Sequence, residues 1–265
     1  IDAGGDIALS AVSTSDISSV VVAAAVSLGV GGSVGVGASI GIAVARNFIG
    51  STPDGSLVPA EVRSRLVDTS VQADGDLTLT SLAGQGIGSI VIAGSVAVGL
   101  GATVGVAVAG SGVYAENTIG VDVVSAIDGD GATGIHADRI TLTAEDHSSI
   151  DAIAGAVSVA AAFGASAGVS VAIGVTLAHN TITSTVESSI TSADDVSTSV
   201  GDIVVTANED ASIRVVSFAA SVALGFAVLG AGIGIAGAGA ESTNVVNTQT
   251  RALVTASDLD SVGVA

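Results

Sequence analysis

Four long stretches of this chain alternate large and small apolar residues with a period of two. In residues 153–177 the even positions hold only Ala, Gly, Ser and Thr, and all of the Val, Ile, Leu and Phe fall on the odd positions. Successive side chains of a strand point to opposite sides, so this alternation predicts β-strands. A helix would scatter the same large side chains all round its axis.

Each alternating stretch is interrupted by a glycine, which predicts two strands that meet at a turn. The glycines lie sixteen residues before an asparagine and are Gly31, Gly101 and Gly164. In the fourth stretch the large residues change parity between Val228 and Ile233. A turn near Leu229 and Gly230 would absorb that shift of one residue, because a one-residue slip exchanges the two faces of a strand.

The whole chain is a tandem array of four similar units. Each unit opens with a strand such as "GDIALSA" (5–11) or "GDLTLTS" (75–81). Each then reaches an asparagine, and these are Asn47, Asn117, Asn180 and Asn244, at intervals of 70, 63 and 64 residues. A Pro- and Gly-containing loop inserted at 50–61 explains the longer first interval. The units are approximately 1–75, 76–138, 139–201 and 202–265, and we expect them to form a single array over 1–265.

These repeats predict an all-β fold: a repetitive β-solenoid-like array of four units of about 63–70 residues. We expect each unit to make about three turns of roughly twenty residues; the alternative is one large layer per unit. Stacked asparagines form a hydrogen-bonded ladder only if the units lie one strand spacing apart. With three turns per unit, each asparagine should simply end a strand in a turn.

Neither side of the alternating strands carries charge, which predicts that both sides are buried. The large residues should fill an interior of stacked Val, Ile and Leu. The Gly, Ala and Ser side should let another sheet or another chain approach closely, and the sequence does not decide between the two.

The charge of the chain excludes several partners. Six Arg against 25 Asp and Glu give a net charge of −19, which argues against nucleic acid and against anionic membrane surfaces. The absence of Cys is typical of an exported protein without disulfides. The start at Ile1 without Met and the end just before a fifth unit predict a section of a longer array.

A membrane location is the main alternative, because uncharged stretches of eighteen or more residues are long enough for a transmembrane helix. The β-branched alternation, the many Gly and Ser residues and the lack of basic loops argue against such helices. A membrane-inserted or pore-forming β-structure fits the alternation better. One Tyr and no Trp, however, cannot form the aromatic girdles of such proteins.

The sequence contains no pattern of catalytic residues, and we expect no enzyme activity. His136, His147 and His179 have no metal-ligand spacing. The one candidate ligand site is "DGDGATGIHAD" (128–138), where Asp128, Asp130 and Asp138 offer oxygen ligands suited to calcium on a flexible loop. The alternative is a solvated acidic turn, because the bidentate Glu of an EF-hand is missing. No other cofactor is predicted.

The GD strand, the Gly/Ala/Val block and the "NTI" junction of residues 180–182 resemble repeats of very large bacterial surface proteins. These are the filamentous-haemagglutinin-like and leukotoxin-family filamentous adhesins. The resemblance covers the whole chain and implies a β-rich extracellular or cell-surface filament, with copies of itself or adjacent repeats as partners. It implies no catalytic residues, and it does not indicate an adhesion target.

Overall fold

The fold is all-β, with parallel sheets in a β-solenoid-like stack of four layers, which confirms the predicted fold class. A computed structural model of the chain describes residues 1–262. Four sheets run along the stack, and each layer contributes its strands to all of them.

The first sheet contains five short strands: β1 (Asp2–Ala3), β6 (Val71–Ala73), β10 (Ile135–Ala137), β14 (Val196–Thr198) and β18 (Leu259–Asp260). The second contains β2 (Ile7–Ser13), β7 (Leu77–Ala83), β11 (Ile140–Asp146) and β15 (Ile203–Glu209). The third, here the outgoing sheet, contains β3 (Asp16–Gly31), β8 (Gly86–Gly101), β12 (Ser149–Gly164) and β16 (Ser212–Ala227). The fourth, the returning sheet, contains β4 (Val34–Ile49) and β5 (Ala60–Val67), then β9 (Val104–Asp128), β13 (Ala167–Thr191) and β17 (Ala231–Thr255).

Each unit forms one layer, so the expectation of three turns per unit is wrong. Ile140 of β11 pairs in parallel with Leu77 of the preceding unit and with Ile203 of the following one. The reason is strand length: the outgoing strands have 16 residues and the uninterrupted returning strands have 25. One turn of the chain built from such strands already contains all the residues of a unit, whereas ordinary strands have about five or six residues.

Within a layer the chain runs out along one long strand and back along another. In the first three layers two residues connect the outgoing to the returning strand, for example Ala102 and Thr103. The fourth layer uses three, from Val228 to Gly230, and this extra residue accounts for the parity change in the sequence. The loop after Ile49 separates β4 from β5, which both pair with β9.

We call the uncharged outer half of the stack the blade and the remainder the base. The blade comprises residues 20–43, 90–113, 153–176 and 216–240, and it contains no Asp, Glu, Lys, Arg or His. It consists of the outgoing and returning sheets packed face to face. All charged residues of the chain therefore lie in the base.

The interior of the blade contains the small residues, and the large residues point outward; the predicted Val, Ile and Leu interior is therefore wrong here. In β4 the glycines at 35, 37 and 41 are buried, whereas Ile40 and Ile42 between them are exposed. A Cβ atom on Gly99 would collide with the carbonyl of Val106 in the facing strand. The short turns hold the two sheets so close that only small side chains fit between them over most of the blade; Val91 and Val113 are buried where it meets the base.

The base has a conventional core. Leu79, Ile127 and Ile140 are fully buried in one cluster, and Ile119, Ile150 and Ile182 are fully buried in the other. Burial of large aliphatic side chains contributes about 1.5–3 kcal/mol each. Burial of these large side chains therefore stabilises the base more than burial of small residues stabilises the interior of the blade.

Candidate functional surface: the apolar blade

The outward faces of the blade are the most unusual surface of the molecule. Val26 in the outgoing sheet is 80% exposed, and Ile40 in the returning sheet is 71% exposed. Phe163 and Phe226 stack on the outgoing face, with ring centroids 4.8 Å apart, and both are more than 40% exposed. A solvated sheet normally carries polar residues on its water side. Here both outward faces are apolar and uncharged.

Each outward face is large enough to be an interaction surface. The outgoing strands contribute twelve residues each to the blade and the returning strands ten, which span roughly 40 Å and roughly 33 Å. Four strands span roughly 19 Å, which gives areas of roughly 750 Å² for the outgoing face and roughly 630 Å² for the returning face. The largest apolar patch of a typical monomer is about 300–600 Å². Patches above that size mark contacts with proteins or membranes.

Neutral polar side chains tie the two sheets of the blade together. Ser158 of β12 donates from its hydroxyl to the carbonyl of Ile173 at 2.6 Å, and Thr176 of β13 donates to the carbonyl of Phe218 at 2.8 Å. The hydroxyl oxygens of Ser158 and Ser111 are also 2.7 Å apart. These bonds join outgoing to returning strands, so the same chain covers the small-residue side.

A ladder of asparagines marks the boundary between blade and base. The Nδ2 of Asn47 donates to Oδ1 of Asn117, and Asn117 donates to Asn180, both at 2.7 Å. Asn180 donates to Asn244 at 2.9 Å. The expectation that each asparagine ends a strand in a turn is wrong, because all four lie within long strands. They stack directly since the units lie one strand spacing apart.

The ladder is also joined to the outgoing sheet. Asn47 Nδ2 lies 3.0 Å from the hydroxyl of Ser19 and 3.3 Å from that of Ser89. Asn117 and Asn180 are essentially inaccessible to solvent. Gly31, Gly101 and Gly164 lie at the other end of the blade, where they close β3, β8 and β12 immediately before the turns.

Exposed ion pairs connect successive layers of the base. Arg46 Nε lies 2.6 Å from Glu116 Oε2, and Arg139 lies 3.3 Å from Asp76. The Glu116 carboxylate raises the pKa of Arg46. Water screens such exposed pairs, so they fix register more than they stabilise.

A pair of carboxyl groups, fully buried in Asp146 and half-buried in Glu209, occupies neighbouring layers of the base. Asp146 and Glu209 end β11 and β15 and pair in register. Burial raises the pKa of Glu209 to about 7; the Ser184 hydroxyl opposes this shift, and the Asp146 carboxyl adds to it. Burial also raises the pKa of Asp146, against hydrogen bonds from Ser148. Nothing in the local sequence pattern identifies this pair, because it forms only once the layers stack.

The three candidate calcium ligands take part in contacts between layers. Asp128 accepts from Thr191 Oγ1 at 3.0 Å, and Asp130 accepts from the amide of Asp195 at 2.7 Å. Asp138 accepts from the hydroxyl of Ser199. Among residues 1–262, no three His, Cys, Asp or Glu side chains are grouped as a metal site. Calcium binding at these aspartates stays a prediction.

The histidines are dispersed over the base. His136 Nδ1 lies 2.6 Å from Ser197 Oγ, and His147 lies 3.7 Å from Glu145. His179 packs edge to face with Tyr114, with centroids 5.7 Å apart. The three therefore lie in three different surroundings.

No family model, curated protein or solved structure matches this chain. Within residues 1–262 there is no helix with the length and apolar character to cross a membrane. The geometry of the blade itself is therefore the basis for assigning a function.

Proposed function

We propose that this chain is a structural, non-enzymatic repeat segment that assembles through the uncharged outward faces of its blade. The observation that carries the proposal is the exposure of large aliphatic and aromatic side chains on both faces, with no charge among them. Burial of such surface is the main favourable term in protein association. The assembled form would be an extracellular filament or part of a giant surface adhesin.

A location on the bacterial cell surface agrees with the lack of cysteine and with the resemblance to filamentous adhesin repeats. The acidic base would remain in water and keep the assembly soluble, because its net charge of −19 repels other bases. The partners are then copies of the chain or adjacent repeats. Calcium at Asp128, Asp130 and Asp138 would be an addition to this role and is not required by it.

A membrane-inserted or pore-forming β-structure is the second candidate, and the length of the blade favours it. Roughly 40 Å of uncharged strand exceeds the hydrocarbon thickness of about 30 Å. The composition weighs against it, because one Tyr and no Trp cannot form the aromatic girdles of such proteins.

The test is electron microscopy and sedimentation of the purified chain in buffer without detergent. Ordered fibres or sheets support assembly, and separate short rods contradict it. Aggregation that only detergent or lipid vesicles resolve favours the membrane alternative.

A pair of substitutions makes this test specific. Val26→Lys together with Ile40→Lys places charge on both blade faces and should abolish assembly without unfolding, since both side chains are already exposed. Val12→Lys is the matched control, because Val12 is an exposed valine in the base. Loss of assembly in the control would assign the contact to the base instead.

A further inference from the structure

We infer that two copies of the chain pair through the outward face of the returning sheet, about a two-fold axis that runs parallel to the strands. This inference rests on the proposed function and specifies which face is used and in which orientation. Its basis is the relief of that face, its area and the charges at its border.

The outward face of the returning sheet is corrugated by layer. In layers 1 and 3 the side chains of Ile40 and Ile42, and of Ile173 and Val175, form ridges, all of them more than 40% exposed. The residues in register with them in layers 2 and 4 are glycines: Gly110, Gly112, Gly237 and Gly239. A Cβ atom at Gly112, Gly237 or Gly239 would meet no atom within 4 Å, so these positions are open grooves in layers 2 and 4.

The corrugation is complementary to itself in one orientation. A two-fold axis along the strands reverses the order of the layers, so layer 1 of one copy faces layer 4 of the other, and layer 2 faces layer 3. The ridges at residues 40, 42, 173 and 175 then all face grooves: Ile42 faces Gly239, and Val175 faces Gly112. Nearer the turns the match is partial, because Val108 faces Val171. A two-fold axis along the stack would instead place each layer opposite the same layer with its strand direction reversed, so that the Ile40 and Ile42 ridge would meet the Val34 and Val36 side chains of its own layer. Pairing of one patch with itself is the usual geometry of a homodimer.

The area of the face suits a stable pair. Roughly 630 Å² per copy lies at the lower end of the roughly 600–1,000 Å² per partner of standard protein interfaces. The loop at 50–59 bounds this area on the side of the base, where Arg46 donates to the carbonyl of Pro53. The contact therefore extends over the blade as far as the row of residues that includes Arg46.

The polar groups at the border of the blade are complementary in the same orientation, with one carboxylate facing an imidazole that can donate to it and one near a guanidinium. Arg46, Glu116, His179 and Thr243 lie in register across the four layers next to the blade. Reversal of the layers places Glu116 of one copy opposite His179 of the other. It also places Glu241 one outward position from Arg46 of the other copy. Opposite charges across an interface fix its register and disfavour other pairings.

The outgoing face does not have this relief. Gly155 is the counterpart of a groove there, but the ring of Phe218 from the next layer covers it. Gly94 leaves one shallow depression, in which a Cβ would meet nothing within 4 Å. Gly94 therefore provides a control position with the same residue type on the opposite face.

Groove filling tests the inference without loss of fold. Gly112→Val with Gly239→Val fills both grooves with side chains that point into open space, and valine favours strands more than glycine does. We expect the association constant from sedimentation to fall at least tenfold, with a change below twofold for Gly94→Val. Equal losses in both variants, or a loss only in Gly94→Val, would overturn the inference and leave the proposed function standing. An unmodified chain that stays monomeric contradicts the proposed function itself.

Cross-linking tests the orientation, and the chain is suited to it because it has no cysteine of its own. Ile42→Cys and Gly239→Cys variants are mixed and treated with a short bismaleimide. We expect mixed cross-linked dimers and little product from either variant alone, because residues 42 of two copies lie at opposite ends of the paired stacks. Efficient linking of Ile42→Cys to itself would overturn the proposed axis.

Discussion

At the scale of the residue, two buried polar features depend on stacking between layers. The amides of the asparagine ladder satisfy one another, and the carboxyl groups of Asp146 and Glu209 share a buried environment. Both features are absent from any single unit. Each can be tested by replacing one side chain.

The ladder should be most sensitive at its centre. Asn117→Ala leaves Asn47 without its acceptor and Asn180 without its donor, and it should lower the free energy of unfolding by about 2–3 kcal/mol. Asn244→Ala at the exposed end of the ladder should cost less than about 1 kcal/mol. Urea unfolding of both variants measures the difference, and equal costs would show that the ladder contributes no more than an isolated amide.

The buried carboxyl pair predicts that the protein loses stability as the pH rises. Because the folded state raises the pKa of Glu209 from 4.5 to about 7, it binds a proton more tightly than the unfolded state does. The contribution of Glu209 to the free energy of unfolding should therefore be largest below pH 4.5. It should fall by about 1–3 kcal/mol between pH 4.5 and 7.

Thermal unfolding of the wild type and of Glu209→Gln across this pH range isolates the effect. The variant should be more stable than the wild type at pH 8, and the difference should disappear at pH 4. A pH profile unchanged by the substitution would contradict burial of the Glu209 charge.

At the scale of the element, the alternation of residue size determines how closely two sheets approach. The strands and their glycine turns are predictable from the period of two and from the positions of Gly31, Gly101 and Gly164. The side of the strand that faces inward is not predictable in the same way. Large apolar residues normally lie inside, and only the two-residue turns and the close sheets reverse that preference in the blade.

Two glycines of one strand, one facing inward and one facing outward, should therefore respond differently to substitution by alanine. Gly99→Ala introduces a Cβ that collides with the Val106 carbonyl and should lower the free energy of unfolding by about 1–3 kcal/mol. Gly94→Ala in the same strand points into open space and should be neutral or stabilising by up to about 1 kcal/mol. Urea unfolding compares them, and equal effects would contradict the close approach of the sheets.

At the scale of the whole molecule, the repeats predict a stacked β-array but not the number of turns per unit. Each unit contains enough residues for three ordinary turns, and 25-residue strands are rare enough to be a poor expectation. The asparagine spacing could not decide the number, because intervals of 70, 63 and 64 residues fit one layer per unit as well as three turns. The buried carboxyl pair and the corrugated face could not be predicted, since they depend on that register.

The separation of apolar blade from acidic base predicts how salt affects assembly. Salt screens the repulsion between bases, with a Debye length of about 10 Å at 0.1 M and about 3 Å at 1 M. Salt does not weaken the contacts between the uncharged blades. Light scattering should therefore show stronger association at 1 M than at 0.05 M NaCl, whereas weaker association at high salt would assign the contact to ion pairs.

The single-layer circuit determines what kind of object the chain can build. About 64 residues advance the stack by one strand spacing of about 4.8 Å, whereas the same residues in an α-helix would extend roughly 95 Å. Length gained in this way requires a great deal of polypeptide, but every added layer widens both outward faces by a further strand of the full blade length. The repeat is therefore poorly suited to spanning distance and well suited to forming a broad, flat surface.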